Sequence, residues 1–360
     1  MPHGDNQIDG RLVEQLFHKS HLYNMGWQEK EALWDGRRDA IVRDYCIYHT
    51  AIPKKLDWDY VRVPVVPVSK EYERPVMIGP HAWLDEQGYE TTFNPEAGNI
   101  AVRGHFPNLK IQDLPDPEEP FSIDGSELEA IRQVVRELGD SHFVVGRLPV
   151  DGTFAWQHTV GMEEYLMRMV CEPDFVRRAT NVYVNRSIAY INAMFDVGVD
   201  AVMTTDDYCD NTGPIMGKRR FDEFVLPGLI RQLEAAHSRE GYFIKHTDGN
   251  VWQILDSFVE VGVDGWHGIQ PSIGMDLKLL KQRYAGKLCL FGGVNCETLI
   301  RGTPARVRQE VAYAIEHAAV GGGLVITTSN VVQPGSRLEN YLALGQAVRD
   351  HGGYPIGGNR

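Results

Sequence analysis

From about residue 126 onward the apolar and polar positions repeat one pattern, a helix-period stretch followed by a short apolar run. "SELEAIRQVVRELG" precedes "HFVVGRLP", and the long stretch "EEYLMRMVCEPDFVRRATNVYVNRSIAYINAMFDVG" precedes "VDAVMTTDDY". "KRRFDEFVLPGLIRQLEAAHSREG" leads to "YFIKHTDG", "VWQILDSFVEVG" to "VDGWHGIQP", "MDLKLLKQRYAG" to "KLCLFGGVN" and "TPARVRQEVAYAIEHAAVGGG" to "LVITTSN"; "LENYLALGQAVRDHGGY" closes the series. Val251, Ile254, Leu255, Phe258 and Val259 fall on one stripe of a helix. Thr303, Pro304 and Gly321 read as N-cap, first turn and a stop beyond the end of another. The apolar runs are nearly continuous, as in strands covered on both faces. Strand followed by helix, repeated, predicts a parallel sheet with crossover helices.

The first third reads differently. Residues 1–50 are polar and helical in pattern, most clearly in "KEALWDGRRDAIVRDYCIYHT". They predict an N-terminal helical arm that packs on the outside of the main domain or on a second subunit, which makes a homodimer an expectation. Residues 51–360 are expected to form that domain. In it, "YVRVPVVPV" and "GYETTFNPEAGNIAVRGHF" suggest a strand and an excursion of hairpins. "PNLKIQDLPDPEEPFSIDGSE" is a Pro/Asp-rich connector.

No G-x-G-x-x-G follows an early strand, and no Walker loop is present. Each predicted strand instead ends in its own polar cluster: "RLP", "TTDD", "KHTDG", "WHGIQP", "GGVN", "TTSN". A switch-point site concentrates polarity at one or two strand ends, whereas polarity at every end suits loops ringing one mouth. The expected fold class is α/β, a (β/α)8 TIM-type barrel with an N-terminal helical arm and a hairpin excursion.

Composition narrows the function. With 360 residues, 43% hydrophobic and 24% charged, the chain is ordinary globular material. The net charge of −13 and the lack of basic runs argue against nucleic acid. They also argue against a polyanionic substrate, unless a local basic pocket opposes the overall field. No window reaches 18 apolar residues, so no membrane span is expected. Five scattered cysteines without a CxxC, and no signal peptide, point to the reducing cytoplasm.

The candidate chemistry sits at the strand ends. His246 and Asp248 are two apart and share a face in extended chain. They can ligate a divalent metal or act as an acid/base pair; equally, Asp248 can cap the next helix while His246 is a satisfied core residue. Asp206 and Asp207 are adjacent, so alternation lets at most one face the cavity easily; side by side they can raise one pKa and make a proton donor. Asp207 or Asp210 can also simply start a turn. Arg147, a lone arginine in a strand-like run, needs a partner, either Asp206 or Asp207 or a substrate carboxylate. Tyr208, His267, Gln270, Asn295 and Ser329 are further substrate-binding candidates by position.

The stretches "DDY…GPIMGKRRFDEFVLPGLIRQL", "KHTDGNVWQILDSFVEVGVDGWHGIQP", "MDLKLLKQRYAGKLCLFGGVN" and "GTPARVRQEVAYAIEHAAVGGGLVITTSN" resemble the uroporphyrinogen decarboxylase superfamily over about residues 140 to 356. That resemblance implies an enzyme, either a decarboxylase or a corrinoid-linked methyltransferase on the same barrel. The decarboxylase branch carries an N-terminal Met-Arg-Gln-Ala-Gly-Arg stretch that grips tetrapyrrole carboxylates, and it is absent here; the Arg37-Arg38 pair lies in another context. Thiol-activating methyltransferases of the superfamily bind zinc through His-x-Cys and a later Cys. His246 matches the His, Asp248 stands in place of the first Cys, and Ser329 stands roughly in place of the second, with Cys296 nearby. The resemblance therefore implies methyl transfer from a small methylated substrate to a corrinoid carried by a separate protein, with zinc at His246 and Asp248. The alternatives are decarboxylation of a tetrapyrrole or smaller carboxylate, which needs no cofactor, and non-catalytic binding of a small molecule. In the methyl-transfer reading Asp206, Asp207, His246 and Asp248 polarise or protonate the leaving heteroatom, and Arg147, Gln270 and Asn295 orient the substrate.

Overall fold

The computed structural model describes residues 1–86, 88–95, 98, 101–103 (backbone only) and 108–356. Seven strands form one parallel sheet in the order β1 (Tyr60–Pro64), β6 (Phe143–Arg147), β7 (Ala201–Thr204), β8 (Tyr242–His246), β9 (Gly265–His267), β10 (Cys289–Val294) and β11 (Leu324–Thr328). The strand order follows the chain order, as expected when each strand is laid beside its predecessor by a crossover helix. Helices α5 (Met162–Cys171) and α6 (Pro173–Val197) lead from β6 to β7. Between β7 and β8 run α7 (Lys218–Arg220), a π-helical turn at Phe221–Val225 and α8 (Leu226–His237). Then come α9 (Leu255–Val261), α10 (Leu277–Tyr284), α11 (Cys296–Arg301) with α12 (Pro304–Ala318), and finally α13 (Leu338–His351). The Thr303 hydroxyl caps α12 by accepting from the Arg306 amide, as its position predicts.

Between β1 and β6 the chain makes an excursion. Strands β2 (Met77–Gly79), β3 (Ala82–Leu84), β4 (Glu90–Phe93) and β5 (Ala101–Arg103) form a separate antiparallel sheet. This is where the sequence places its hairpins; 87, 96–97, 99–100 and 104–107 of that stretch lie outside the described residues. Helix α4 (Glu129–Leu138) then returns the chain to β6.

The N-terminal third departs from the helical expectation at its start. Helices α1 (Gly10–Phe17), α2 (Trp27–Trp34) and α3 (Arg38–Leu56) are present, but residues 2–8 are extended. They run alongside β11 and the segment after it, with parallel bridges His3–Ile326 and Ile8–Val332. On the other side the His3 carbonyl accepts from the Asp59 amide at 2.9 Å, just before β1. The segment thus spans the two edges of the seven-stranded sheet and supplies partners to otherwise open backbone groups. Gly4 is what lets it fit, since a Cβ there would stand 2.7 Å from the Tyr60 ring. A large apolar core lies between the sheet and the helices; a smaller one, built on Tyr60, Val145, Ala201, Met203, Ile244 and Phe291, fills the interior at the start of the strands. Among the described residues no helix is long and apolar enough to cross a membrane.

Candidate active site

A cavity of about 620 Å³ opens at the carboxyl ends of the strands. Its wall carries Asp206 and Asp207 from the end of β7, His246 from β8, Arg147 from β6, Arg62 from β1, and Asn6 and Asp9 from the N-terminal segment. Both adjacent aspartates line it, against the expectation that only one would. The strand ends at Thr204, so beyond it the backbone leaves the pleat and the alternation of faces lapses.

Asp206 is buried, with its carboxylate receiving the Phe154 amide at 3.4 Å. Burial, and then the charge of Asp151, hold its carboxyl well above the ordinary range. Asp151 lies beneath it, its carboxylate receiving the Asp206 amide at 3.2 Å and the Lys245 ammonium at 2.5 Å. Both side chains of that ion pair are fully buried. Burial opposes ionisation of Asp151, but Lys245 and the Thr153 hydroxyl outweigh it and its pKa is lowered.

The loop after β8 folds against the loop after β7. Gly249 makes this possible: its φ is +84°, and a Cβ would meet the Cys209 carbonyl at 2.6 Å. The Asn250 amide donates to the Asp210 carbonyl at 2.7 Å, and the Asp248 amide to Asp207 at 3.3 Å. Asp207, His246 and Asp248 consequently each present a ligand atom within 4.8 Å of the others. Burial, and then Asp207, push Asp248 up to about 6. Asp207 is raised too, with burial the first cause, although 49% of its side chain is accessible through the cavity. Asp248 does not cap a helix: its carboxylate receives the Asn330 amide at 2.9 Å, and α9 starts only at Leu255. Asp210 is the turn former, accepting from Thr212 and Gly213.

The histidines form a chain. Burial, and then Lys245, push His246 down to about 3; burial and His246 hold His267 well below its ordinary value. Both rings are therefore neutral, and their Nδ1 atoms, 2.7 Å apart, share one proton. Tyr60 donates to the Asn6 oxygen at 3.4 Å, which turns the Asn6 amide nitrogen toward His267 Nε2 at 2.9 Å. His267 then carries its hydrogen on Nδ1 and donates to His246. That leaves the His246 hydrogen on Nε2, facing Asp207 at 3.7 Å.

The remaining sequence candidates stand outside the cavity wall. Tyr208 is fully buried, its hydroxyl bonded to Thr153 at 2.5 Å and its ring 4.0 Å beneath the Lys245 ammonium. His267 is fully buried behind His246. The Gln270 oxygen is taken by the Gly249 amide at 2.8 Å. Asn295 begins α11 with its amide on Glu310, and the Ser329 hydroxyl meets Cys296. Arg147 does face the cavity but has no hydrogen bond or ion pair among the described residues, so the expected pairing with Asp206 or Asp207 is absent. Sequence reasoning missed Arg62, Asp151, Lys245 and Asn6. A buried-type strand reading "YFIKH" with a lysine inside it was a signal available for Lys245.

The donor set for a metal is one imidazole and two carboxylates, which fits an oxygen-preferring or borderline divalent ion. The thiolates of the superfamily's zinc site are not among these donors: Cys296 contacts Ser329 and the Val331 carbonyl instead.

A family model described as uroporphyrinogen decarboxylase (URO-D) matches residues 87–351. The chain is 26% identical over 190 residues to a uroporphyrinogen decarboxylase of Pseudoalteromonas translucida (strain TAC 125), covering 50% of this chain and 49% of that one. It is 25% identical over 224 residues to the methylcobamide:CoM methyltransferase MtaA of Methanosarcina barkeri, covering 62% of each. The chain thus spans about half the length of the first of these relatives. In structure it is similar to a methyltransferase from Methanosarcina mazei, with a TM-score of 0.69 at 19% identity over 98% of this chain and 94% of that one. A B12-independent methionine synthase from Shewanella sp. W3-18-1 follows at 0.53 and 13% identity, over 88% and 89%. At such identities the likeness speaks for the fold.

Proposed function

The chain belongs to the uroporphyrinogen decarboxylase family, and on that premise we propose that it is a cytoplasmic enzyme transferring a methyl group from a small methylated compound to a separate corrinoid protein. In this reading residues 2–8 act as the eighth member of a (β/α)8 ring, and the cavity at the strand ends holds the substrate. The observation that carries the proposal is the joining of Asp206, Asp207 and His246 at one cavity, with the Asp206 carboxyl raised well above its ordinary range and Asp248 within ligand distance of Asp207 and His246. When a methyl group leaves oxygen or nitrogen, the bonding pair stays on the heteroatom, and departure is slow unless a proton or metal takes up that charge. Asp206 supplies the proton, and the neutral His246, whose Nε2–H faces Asp207, offers the leaving heteroatom a hydrogen bond and keeps its own hydrogen. A corrinoid carried by the separate protein would be the methyl acceptor. A divalent ion, when bound, is held by Asp207, His246 and Asp248 and supplies Lewis acidity; its binding at His246 Nε2 requires the hydrogen to sit on Nδ1.

The second reading is decarboxylation. It is favoured by Arg147 on the same wall, which has no partner among the described residues and can hold a carboxylate, and by the raised pKa of Asp206. The two readings separate in one experiment. Purified protein is offered a panel of methoxylated and methylated amine compounds with reduced cobalamin, and methylcobalamin formation is followed by absorbance. Carbon dioxide release is followed in parallel with tetrapyrrole and small carboxylate substrates. Methyl transfer that is lost in His246→Ala and Asp206→Asn supports the proposal; carbon dioxide release without methyl transfer replaces it. Metal analysis of the wild type and His246→Ala tests the ion: stoichiometric metal lost in the variant supports it, and none in either removes it.

A further inference from the structure

Two arginines of the cavity wall have charge to spare. Arg62, on β1, is 4% exposed, and only its Nε is engaged, donating to the Asn6 carbonyl at 2.8 Å. That bond fixes the side chain against the N-terminal segment and leaves its terminal nitrogens without an acceptor among the described residues. Arg147, on neighbouring β6, has no acceptor at all among them. The strands pair Arg62 with Val145 and Pro64 with Arg147, so the two arginines sit two residues apart on one face. Their Cα atoms are then about 8 Å apart, from the strand spacing and rise, within reach of one small group for side chains of this length. Each lowers the cost of binding an anion for the other: burial, and then Arg147, push Arg62 down to about 9.

Unpaired guanidinium groups under cover are costly, and a ligand anion would remove the cost. Among the described residues no carboxylate of the cavity wall forms a hydrogen bond or ion pair with either arginine. Asp151 is committed to Lys245, and burial and Asp151 raise the Asp206 carboxyl above it well beyond its ordinary range. A chain of net charge −13 therefore carries a local basic patch inside its cavity. The patch is small. Asp9, Asp206 and Asp207 line the remaining wall, and further anionic groups on a ligand would face them.

We propose that Arg62 and Arg147 together form a receptor for a single carboxylate, so that the substrate is a small monocarboxylic acid whose other end faces Asp206, Asp207 and His246. A carboxylate is favoured over other oxyanions because its two coplanar oxygens match the guanidinium fork. The inference rests on the cavity being the substrate site, and it excludes the many-carboxylate tetrapyrroles as substrates. It holds whether the chemistry is methyl transfer or decarboxylation.

The test is calorimetric titration of the full chain with acetate and benzoate at fixed chloride, with inorganic phosphate as the comparison. Benzoate binds the wild type one to one, and Arg147→Gln weakens it roughly tenfold or more, the value of a hydrogen bond to a charged group. Arg147→Lys recovers only part, because a point charge lacks the fork. Arg147 contacts no protein acceptor, so its replacement spares the fold; Arg62→Gln is the second variant, with circular dichroism to check folding. No binding to the wild type, or equal binding by wild type and Arg147→Gln, overturns the proposal. Phosphate binding as tightly as benzoate overturns the carboxylate assignment. The outcome is separable from that of the catalytic proposal: Asp206→Asn and His246→Gln keep benzoate binding while losing turnover. Should they keep turnover, the acid and imidazole roles fail and the receptor stands; should turnover need His246 while benzoate ignores Arg147, the receptor alone fails.

Discussion

The two walls of the cavity solve opposite electrostatic problems. On the β7–β8 side, ionisable groups are crowded and shifted toward their neutral forms: Asp206 is raised well above its ordinary range, Asp248 to about 6, and His246 is lowered to about 3. On the β1–β6 side, Arg62 is engaged only through its Nε, by the Asn6 carbonyl, and Arg147 has no acceptor among the described residues. Below them both, Lys245 and Asp151 are charged and fully paired. On the proposed reading, this contrast lets one buried space hold proton donors and an anion receptor together. A carboxyl group buried without a cationic partner is pushed toward its neutral form, whereas a guanidinium keeps its charge near neutral pH. The difference in chemistry between the walls thus follows from residue type once both are placed under cover.

The sharpest break comes from the floor. Lys245→Met leaves Asp151 buried without its ammonium and is expected to cost about 3–5 kcal/mol, read by urea denaturation. Asp151→Leu added to it should recover part of the loss but not all, because the Thr153 and Asp206 amides also donate to that carboxylate. A loss below about 1 kcal/mol would mean the pair is far more solvated than its geometry implies.

Asp5 separates the N-terminal segment from both walls. Burial pushes its carboxyl up to about 7 from an ordinary 3.8, although Thr328 donates to it at 2.7 Å. The folded chain therefore binds this proton more tightly than the unfolded chain does. Its contribution to stability is present below pH 4 and is lost as pH rises from about 4 through 7. The loss amounts to at most about 4 kcal/mol. Asp5→Asn should flatten that slope in denaturant titrations across the window; an unchanged slope would show that the proton does not reside there.

Asn6 acts more gently, through His267. Asn6→Asp replaces a donor with an acceptor, so His267 must carry its hydrogen on Nε2 and accept from His246 on Nδ1. His246 Nε2 is then free to bind a cation, and divalent-ion affinity at Asp207, His246 and Asp248 is expected to rise about tenfold. Histidine ¹⁵N shifts report the tautomer without reference to activity. Shifts identical to those of the wild type would show that the relay does not reach His246.

Much of this was legible in the sequence, for a physical reason. Strand-then-helix periodicity is local, and it located β6 to β11 and the polar clusters that end them. Asp206, Asp207, His246 and Asp248 followed because each lies within a few residues of a strand end. The N-terminal segment was not legible. Residues 2–8 have no apolar period, and their extended form is imposed by β11 and by Asp59, hundreds and tens of residues away. Asn6 and Asp5 were invisible with it. Arg62 was hidden differently: it stands in "YVRVPV", where nothing local tells an inward arginine from an outward one. Tyr208, Gln270, Asn295 and Ser329 have the right positions along the chain, but past a strand end backbone direction is set by loop contacts, and theirs turn them away.

Tyr208 offers the smallest and cleanest discrimination between facing the cavity and supporting it. Its hydroxyl meets Thr153 at 2.5 Å, and its ring lies 4.0 Å from the Lys245 ammonium. Tyr208→Phe removes the first contact and keeps the second. Thr153 still donates to Asp151 at 2.5 Å, so no buried group is stranded. The expected cost is about 0.5–1.5 kcal/mol of stability, with kcat/KM for whatever substrate is found left unchanged. A supporting residue must behave this way, because its effect travels only through the position of Lys245, which the ring still fixes. A fall in kcat/KM at unchanged stability would instead put the phenol in contact with substrate, and would require the loop after β7 to open a path that the closed packing against Phe221 and Phe258 now denies.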